Sequence, residues 1–485
     1  MQGGIVKLVD INDYISPNQS CVKSLVDTIK NNKGTQIKKI TLDDCLSCTG
    51  CITSSESLLI NNYSLENHFS LLKEKYKADS SIKLGLISYQ SLESFIIVYK
   101  QKKNLEKNLL SYYNEISNII ATILDLDFIL PLNDFIIYSL NLCYNEFISR
   151  KKNHKTTICS ECPGWVCYAE KKIGRICFEH MSKIKSPHEI SAIIIKTLCE
   201  KYFKSLNKDY NTDNNLYICS IMSCFDKKIE PIKSKNSGIN NVISSIELEE
   251  KFKNFLDGNN NTIQGIKNKI INLSLFKKII SMNNDIMPTK EIIEKEIINK
   301  HNDNDENSII NLSLYNFIFN ENYSSNFYIE YFIYKIKKEN INCFIERKQG
   351  KNIDSKEIII YKDETKSEII YKFLISYGLR NIQNIVRMIK SNKIKYDYIE
   401  IMACPGGCIN GAGQIRVEKS RDEVFNNIEK GFIDFKDNKN NIDIDLQMEK
   451  SVKEIEKIVE ELNIDKNIFE QFFKEADFSK SDLDW

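Results

Sequence analysis

From about residue 80 onward, short apolar runs alternate with longer stretches in which apolar residues recur every three or four positions. That alternation is the pattern of strands interleaved with helices in an α/β domain. Residues 82–88, 156–160, 216–222 and 398–402 read as strands, and 106–125, 186–203 and 366–390 as helical stretches. The last stretch is expected as two helices broken at Gly378, because glycine commonly ends a helix. Residues 1–75 are more polar and form an N-terminal segment, followed by a first α/β lobe over 76–254. Between 255 and 311 the composition shifts to Asn, Lys and Ile, with runs such as Asn259-Asn260-Asn261 and Asn302-Asp303-Asn304-Asp305. Weak periodicity makes this a low-complexity insertion, disordered or loosely helical. A second α/β lobe over 312–474 ends in charged helical stretches at 454–462 and 468–473, and 475–485 is an acidic tail ending in Trp.

Three of the four expected strands run into a cysteine: 156–160 into Cys162, 216–222 into Cys224 and 398–402 into Cys404. Open α/β sheets bind ligands beyond the carboxyl ends of their strands. Three strands that each deliver a thiol at that end can converge on one buried site.

Composition narrows the chemistry. The chain has 485 residues, roughly two to four domains or lobes by length, and a net charge of +1. No global field therefore points to nucleic acid or an anionic membrane. The N-terminus lacks a charged-then-apolar leader, and no apolar run approaches the ~18 residues of a spanning helix. A soluble, cytoplasmic protein is expected. Fifteen cysteines is then a high count, and in a reducing compartment thiols stay free for metal binding or catalysis. Cys143, Cys167, Cys177, Cys199, Cys219 and Cys343 stand singly among apolar residues and read as buried small hydrophobes. Cys159, three residues before Cys162, fits either group.

The first cluster of thiols is Cys45, Cys48 and Cys51, a C-x2-C-x2-C run. That spacing wraps three corners of a cubane iron–sulfur cluster with main-chain N–H groups free to meet its sulfides, and Gly50 permits the backbone such a wrap needs. No C-P follows at the ferredoxin spacing, so the fourth ligand comes from elsewhere, with Cys21 as the candidate. A zinc site built from the same four thiolates is the competing reading.

The second group is dispersed. Its segments are Ser160-Glu161-Cys162-Pro163-Gly164-Trp165, Met222-Ser223-Cys224 followed by Lys227, Lys228 and Glu230, and Met402-Ala403-Cys404-Pro405-Gly406-Gly407-Cys408 followed by Gly411 and Gly413. Cys162, Cys224, Cys404 and Cys408 make a thiolate-only set, which selects iron–sulfur or zinc. The glycines let backbone approach a bulky group. Lys227 or Lys228 would offset its negative charge or else lie in solvent, and Trp165 reads as core. Of the five histidines, none has ligand spacing to another, and His188, after Pro187, reads as a surface or capping residue.

In order, these segments resemble the three active-site signatures of iron-only hydrogenases. They are more similar still to the non-hydrogenase branch, the cytosolic iron–sulfur assembly factors related to nuclear prelamin A recognition factor. Shared stretches lie at 15–22, 43–56, 84–92, 162–171, 185–195, 223–230, 377–386 and 400–414, skipping the Asn-rich insertion. The resemblance implies a two-lobed iron-only hydrogenase-like α/β fold with a small N-terminal iron–sulfur segment. It also implies two 4Fe-4S clusters, one on Cys21, Cys45, Cys48 and Cys51, and one between the lobes on Cys162, Cys224, Cys404 and Cys408. Where hydrogenases carry a proton-relaying cysteine this chain has Glu161, and Ser223 replaces their usual proline. Cys408, which would bridge to a two-iron unit, is present. The function implied is cluster transfer from a cytosolic scaffold to a targeting complex and apoproteins, without hydrogenase activity; an iron-only hydrogenase or a ferredoxin-like electron carrier is the alternative. The end Asp482-Leu483-Asp484-Trp485 resembles the C-terminal tryptophan signal that docks such proteins on the targeting complex.

Overall fold

A computed structural model describes residues 60–77, 81–103, 109–153, 155–206, 211–234, 237–258, 269–281, 326–339, 342–350, 353–415 and 444–474. Cys21, Cys45, Cys48, Cys51 and Trp485 lie outside them. Among the described residues the helices of six or more residues are α1 (Leu65–Glu74), α2 (Tyr89–Lys103), α3 (Leu109–Ile123), α4 (Asn133–Lys151), α5 (Pro163–Tyr168), α6 (Pro187–Leu206), α7 (Ser245–Gly258), α8 (Leu273–Ser281), α9 (Tyr328–Glu339), α10 (Leu379–Lys390) and α11 (Ile444–Glu461).

Two sheets organise them. The first is parallel throughout, in the order β2 (Phe128–Pro131), β1 (Ile82–Ile87), β4 (Leu216–Met222) and β5 (Asn241–Ser244). Every residue of β2, β4 and β5 is buried, which is what helices on both faces of a parallel sheet produce, and it is why these strands read as unbroken apolar runs. The second sheet is mixed, in the order β3 (Thr157–Ile158), β9 (Tyr398–Met402), β8 (Ile369–Tyr377), β7 (Ser355–Tyr361) and β6 (Phe344–Gln349). There β3, β9 and β8 are parallel, while β8, β7 and β6 form an antiparallel meander. The strands expected at 82–88, 156–160, 216–222 and 398–402 are all present.

Four expectations change. The stretch 366–390 is not two helices: its first half is β8, whose Ile369-Ile370-Tyr371 and Phe373-Leu374-Ile375 favour a pleated surface over a helix. Gly378, at φ +82°, turns the chain from that strand into α10, and its N–H donates to the Met402 carbonyl at 2.8 Å. The division into lobes at 254 is also too simple, because β3 comes from the first half of the chain yet pairs with β9. Within 255–311, residues 269–281 are folded onto the first sheet. Ile270 bridges Ile129 on β2, and α8 buries Leu273, Leu275, Phe276, Ile279 and Ile280, because that sheet edge offers an apolar face that a purely polar insertion could not cover. Finally, 468–473 is not a helix. A short turn at Lys466–Phe469 leads into extended chain, and Gln471 N–H donates to the Lys183 carbonyl at 2.6 Å.

Among the described residues, no helix is long and apolar enough to cross a membrane.

Candidate metal centre

Each strand that carries a thiol ends at the same seam between the sheets. β3 runs through Cys159 and Glu161 to Cys162, which caps α5 with Pro163 in its first turn; proline fits there because that N–H has no helical partner anyway. β4 ends at Met222, and Cys224 sits in extended conformation just before a short 3-10 turn, Phe225–Lys228. β9 ends at Met402, followed by Cys404 and then a turn through Gly406 and Gly407 (φ +76° and +78°) to Cys408.

Contacts tie the three segments together. Ala403 N–H donates to Cys162 Sγ at 3.3 Å, Ser223 Oγ to the Cys408 carbonyl at 3.0 Å, and Cys224 and Cys404 share a sulfur–sulfur hydrogen bond. Cys408 Sγ lies 3.9 Å from Met402 Sδ. Gly411 shows how close the approach is: a Cβ on it would stand 2.2 Å from the Ser223 carbonyl oxygen. The structure thus brings Cys162, Cys224 and Cys404 from three strand ends to one seam, and Cys408 beside them. Among the described residues, no three or more of His, Cys, Asp and Glu close round a point the size of one metal ion.

Burial dominates the electrostatics. It pushes Cys162 up to about 12 and Cys408 well above the ordinary thiol value. Cys224 is raised first by its hydrogen bond to Cys404 and then by burial. That same bond works to lower Cys404, but burial together with the nearby Cys162, Asp226 and Cys408 outweighs it. Four thiolates cannot stand alone in such a place; they need iron or another soft cation, whose binding displaces the thiol protons. The donor set, all sulfur and drawn to one seam, fits an iron–sulfur cluster.

Two lysines of the second signature are buried, not solvated. Lys227 donates to the Glu161 carbonyl at 3.0 Å and to Glu230 Oε1 at 2.8 Å. Burial opposes its charge, but Glu230 and Glu161 outweigh burial and raise its pKa. Lys228 turns the other way, to Glu247 and the Tyr63 carbonyl. Glu230 also accepts from Ser186 Oγ at 2.8 Å and contacts His188 Nε2. His188 is fully buried, which corrects its surface reading: the preceding proline starts α6, and the first turn of that helix packs inward against the second signature. Burial lowers the His188 pKa against the pull of Glu230. Trp165 is core, as expected, and so are Cys143, Cys167, Cys177, Cys199 and Cys219; Cys159, which fitted either group, is also buried, while Cys343 is half-buried, not in the core as expected.

A cavity with about 570 Å³ of atom-free space, partly continuous with solvent, lies beside the thiols and is lined by Glu161, His188, Lys227, Asn326, Cys224 and Cys408. Asn326 carries no sequence signal, since it follows an Asn-rich stretch in which one more asparagine says nothing. Its side chain nonetheless reaches both Glu161 and Cys408.

The family described as iron only hydrogenase large subunit, C-terminal domain, matches residues 134–412, more than half of the chain and all four thiols of the seam. The chain belongs to that family. A probable cytosolic Fe-S cluster assembly factor of Anopheles gambiae is 28% identical over 460 residues, covering 86% of this chain and 85% of that protein. One of Caenorhabditis elegans is 29% identical over 439 residues, covering 86% and 85%. Protein NAR1 of Arabidopsis thaliana is 28% identical over 476 residues, covering 88% and 87%. Among solved structures, FeFe-hydrogenase HydA1 from Chlamydomonas reinhardtii aligns with a TM-score of 0.53 at 15% identity, over 85% of this chain and 98% of that one. At that identity the likeness establishes the hydrogenase-like fold.

Proposed function

We propose that this chain is a cytosolic iron–sulfur assembly factor that holds two 4Fe-4S clusters and passes clusters toward apoproteins, with no hydrogenase turnover of its own. The observation that carries the reading is the all-thiol set at a seam between two sheets, with Cys162 and Cys224 buried and Cys404 and Cys408 half-buried. A slow, retained cluster suits such a place. A second cluster on Cys21, Cys45, Cys48 and Cys51, in a polar stretch, would exchange more readily. Two sites of unlike lability give a transfer protein a direction. The names of the relatives from three organisms support the assembly role, and Glu161, in place of a thiol proton relay, supports the absence of turnover.

Partners follow from the same reading: scaffold proteins on the donor side, and the cytosolic iron–sulfur targeting complex on the acceptor side. Trp485 would fill an apolar pocket of that complex and the acidic residues Asp482 and Asp484 before it would meet basic groups. Anaerobic reconstitution of the full chain, with iron and sulfide counted and Mössbauer spectra recorded, tests the cluster reading. About eight irons per chain are expected from two cubanes, falling by about half in Cys404→Ser and in Cys45→Ser alike. Near ten irons together with hydrogen evolution would replace it with the hydrogenase reading, and a colourless zinc protein would end it. Loss of Trp485 should weaken capture of the targeting complex while leaving the iron count unchanged.

A further inference from the structure

We infer that Asn326 is a positioning residue for the interior cluster, holding Cys408 from both ends and setting the potential of the cluster through an amide hydrogen bond to its sulfur. Asn326 Oδ1 accepts from the Cys408 backbone N–H at 3.4 Å, and Asn326 Nδ2 donates to Cys408 Sγ at 3.2 Å. The second proton on Nδ2 goes to Glu161 Oε2 at 3.1 Å. The carboxylate fixes the orientation of the amide, because the atom facing Glu161 must be the donor.

The frame around Asn326 is built to hold it. The side chain is 4% exposed. The next residue, Phe327, is fully buried with φ at +65°, a conformation that costs a bulky side chain about 1–3 kcal/mol and persists only where its surroundings over-determine it. Its ring packs against Tyr89 at 5.0 Å. Immediately after it α9 begins, and its Ile329 N–H donates to Glu400 Oε2 at 3.0 Å, while Tyr377 Oη donates to Glu400 Oε1 at 2.6 Å. Glu400 lies on β9, the strand that delivers Cys404 and Cys408. Asn326 and its target are therefore pinned to the same strand, one through a helix start and the other through a turn.

The inference rests on the reading that the four thiols hold a cluster. An N–H donor on a ligating sulfur stabilises the more negative, reduced state, and hydrogen bonds to the sulfurs are among the factors that set cluster potential. Cys162 receives such a bond from the Ala403 backbone, which substitution cannot remove; Cys408 receives its bond from a side chain, which can be removed.

The test uses full-length, anaerobically reconstituted protein carrying Cys45→Ser and Cys48→Ser, so that only the interior cluster titrates. The midpoint potential is followed by electron paramagnetic resonance, and iron release to a chelator is timed. Asn326→Leu, similar in size but without donor or acceptor, should shift the redox equilibrium toward the oxidised state about tenfold, ~59 mV for one electron, and speed iron release. Asn326→Ser, which keeps a donor on a shorter arm, should fall between and serves where leucine does not load. An unchanged potential in a variant that keeps about four irons would overturn the inference. If the Asn326-intact parent itself binds no iron, it is the cluster reading that fails.

Discussion

The first sheet is parallel, closed on both faces and supplies one thiol, Cys224; the second is mixed and supplies three, Cys162, Cys404 and Cys408. β6, at the outer edge of the second sheet, is partly exposed and carries Glu346, Arg347 and Lys348, charges that discourage pairing with another chain. Carboxylates feel the contrast directly. Glu93, on α2 over the first sheet, is buried and pushed up to about 8 by desolvation. Glu346 on the exposed edge goes the other way, to about 2, chiefly through its hydrogen bonds to Lys366 and Lys348. The first sheet is thus a rigid wall whose stability depends on burial. The second has a solvent-tolerant outer half and an inner half, β3 and β9, that carries the chemistry. The buried pair Lys227 and Glu230, beside the thiols, comes from the first sheet's side of the seam; neither sheet makes the site alone.

Removing core volume should separate the two sheets most sharply. Leu84→Ala, at a fully buried position in β1, should cost about 2–5 kcal/mol by chemical denaturation. Ile369→Ala, half-exposed at the start of β8, should stay within about 0.5 kcal/mol. Equal losses would mean that the sheets are not as unlike as their burial indicates.

Next in size is the seam. Gly411→Ala places a methyl against the backbone oxygen of Ser223, which cannot swing away as a side chain could. A loss of about 1–3 kcal/mol is expected, with poorer iron retention at the interior thiols. Unchanged stability together with unchanged iron would show that the two segments do not need this approach.

The smallest effect per step is a pH slope. The Glu93 pKa is raised in the folded state, so its contribution is fully present below about 4.5 and is lost as pH rises toward about 8. Stability should fall across that window by at most about 1.4 kcal/mol per pH unit, and Glu93→Gln should flatten that part of the profile. Glu346→Gln, on the exposed edge, should leave it unchanged. A profile that Glu93→Gln does not alter would sink the assignment.

Much of the site was legible because thiols are conspicuous and strands with both faces buried are apolar throughout. Cys162, Cys224 and Cys404 could be placed at strand ends from local pattern alone, and the structure keeps them there. His188 was misread because a histidine after a helix-starting proline looks the same whether that turn meets solvent or, as here, Glu230. Asn326 was invisible because its role lies in two contacts with a residue 82 positions away. The β8 strand was taken for a helix because its apolar residues satisfy either period over so short a run.

By itself, the sequence determined the donor chemistry, the existence of the main strands and the place of each thiol along the chain, since side-chain identity and short-range periodicity are local properties. Only the tertiary structure decided that β3 crosses to pair with β9, that residues 269–281 cover the edge of the first sheet, and that an asparagine, a glutamate and a strained Phe327 gather round Cys408. Those outcomes depend on which surfaces meet across hundreds of residues. The free energy that selects among such meetings comes from burial and pairing summed over the whole molecule, which no window of the chain contains.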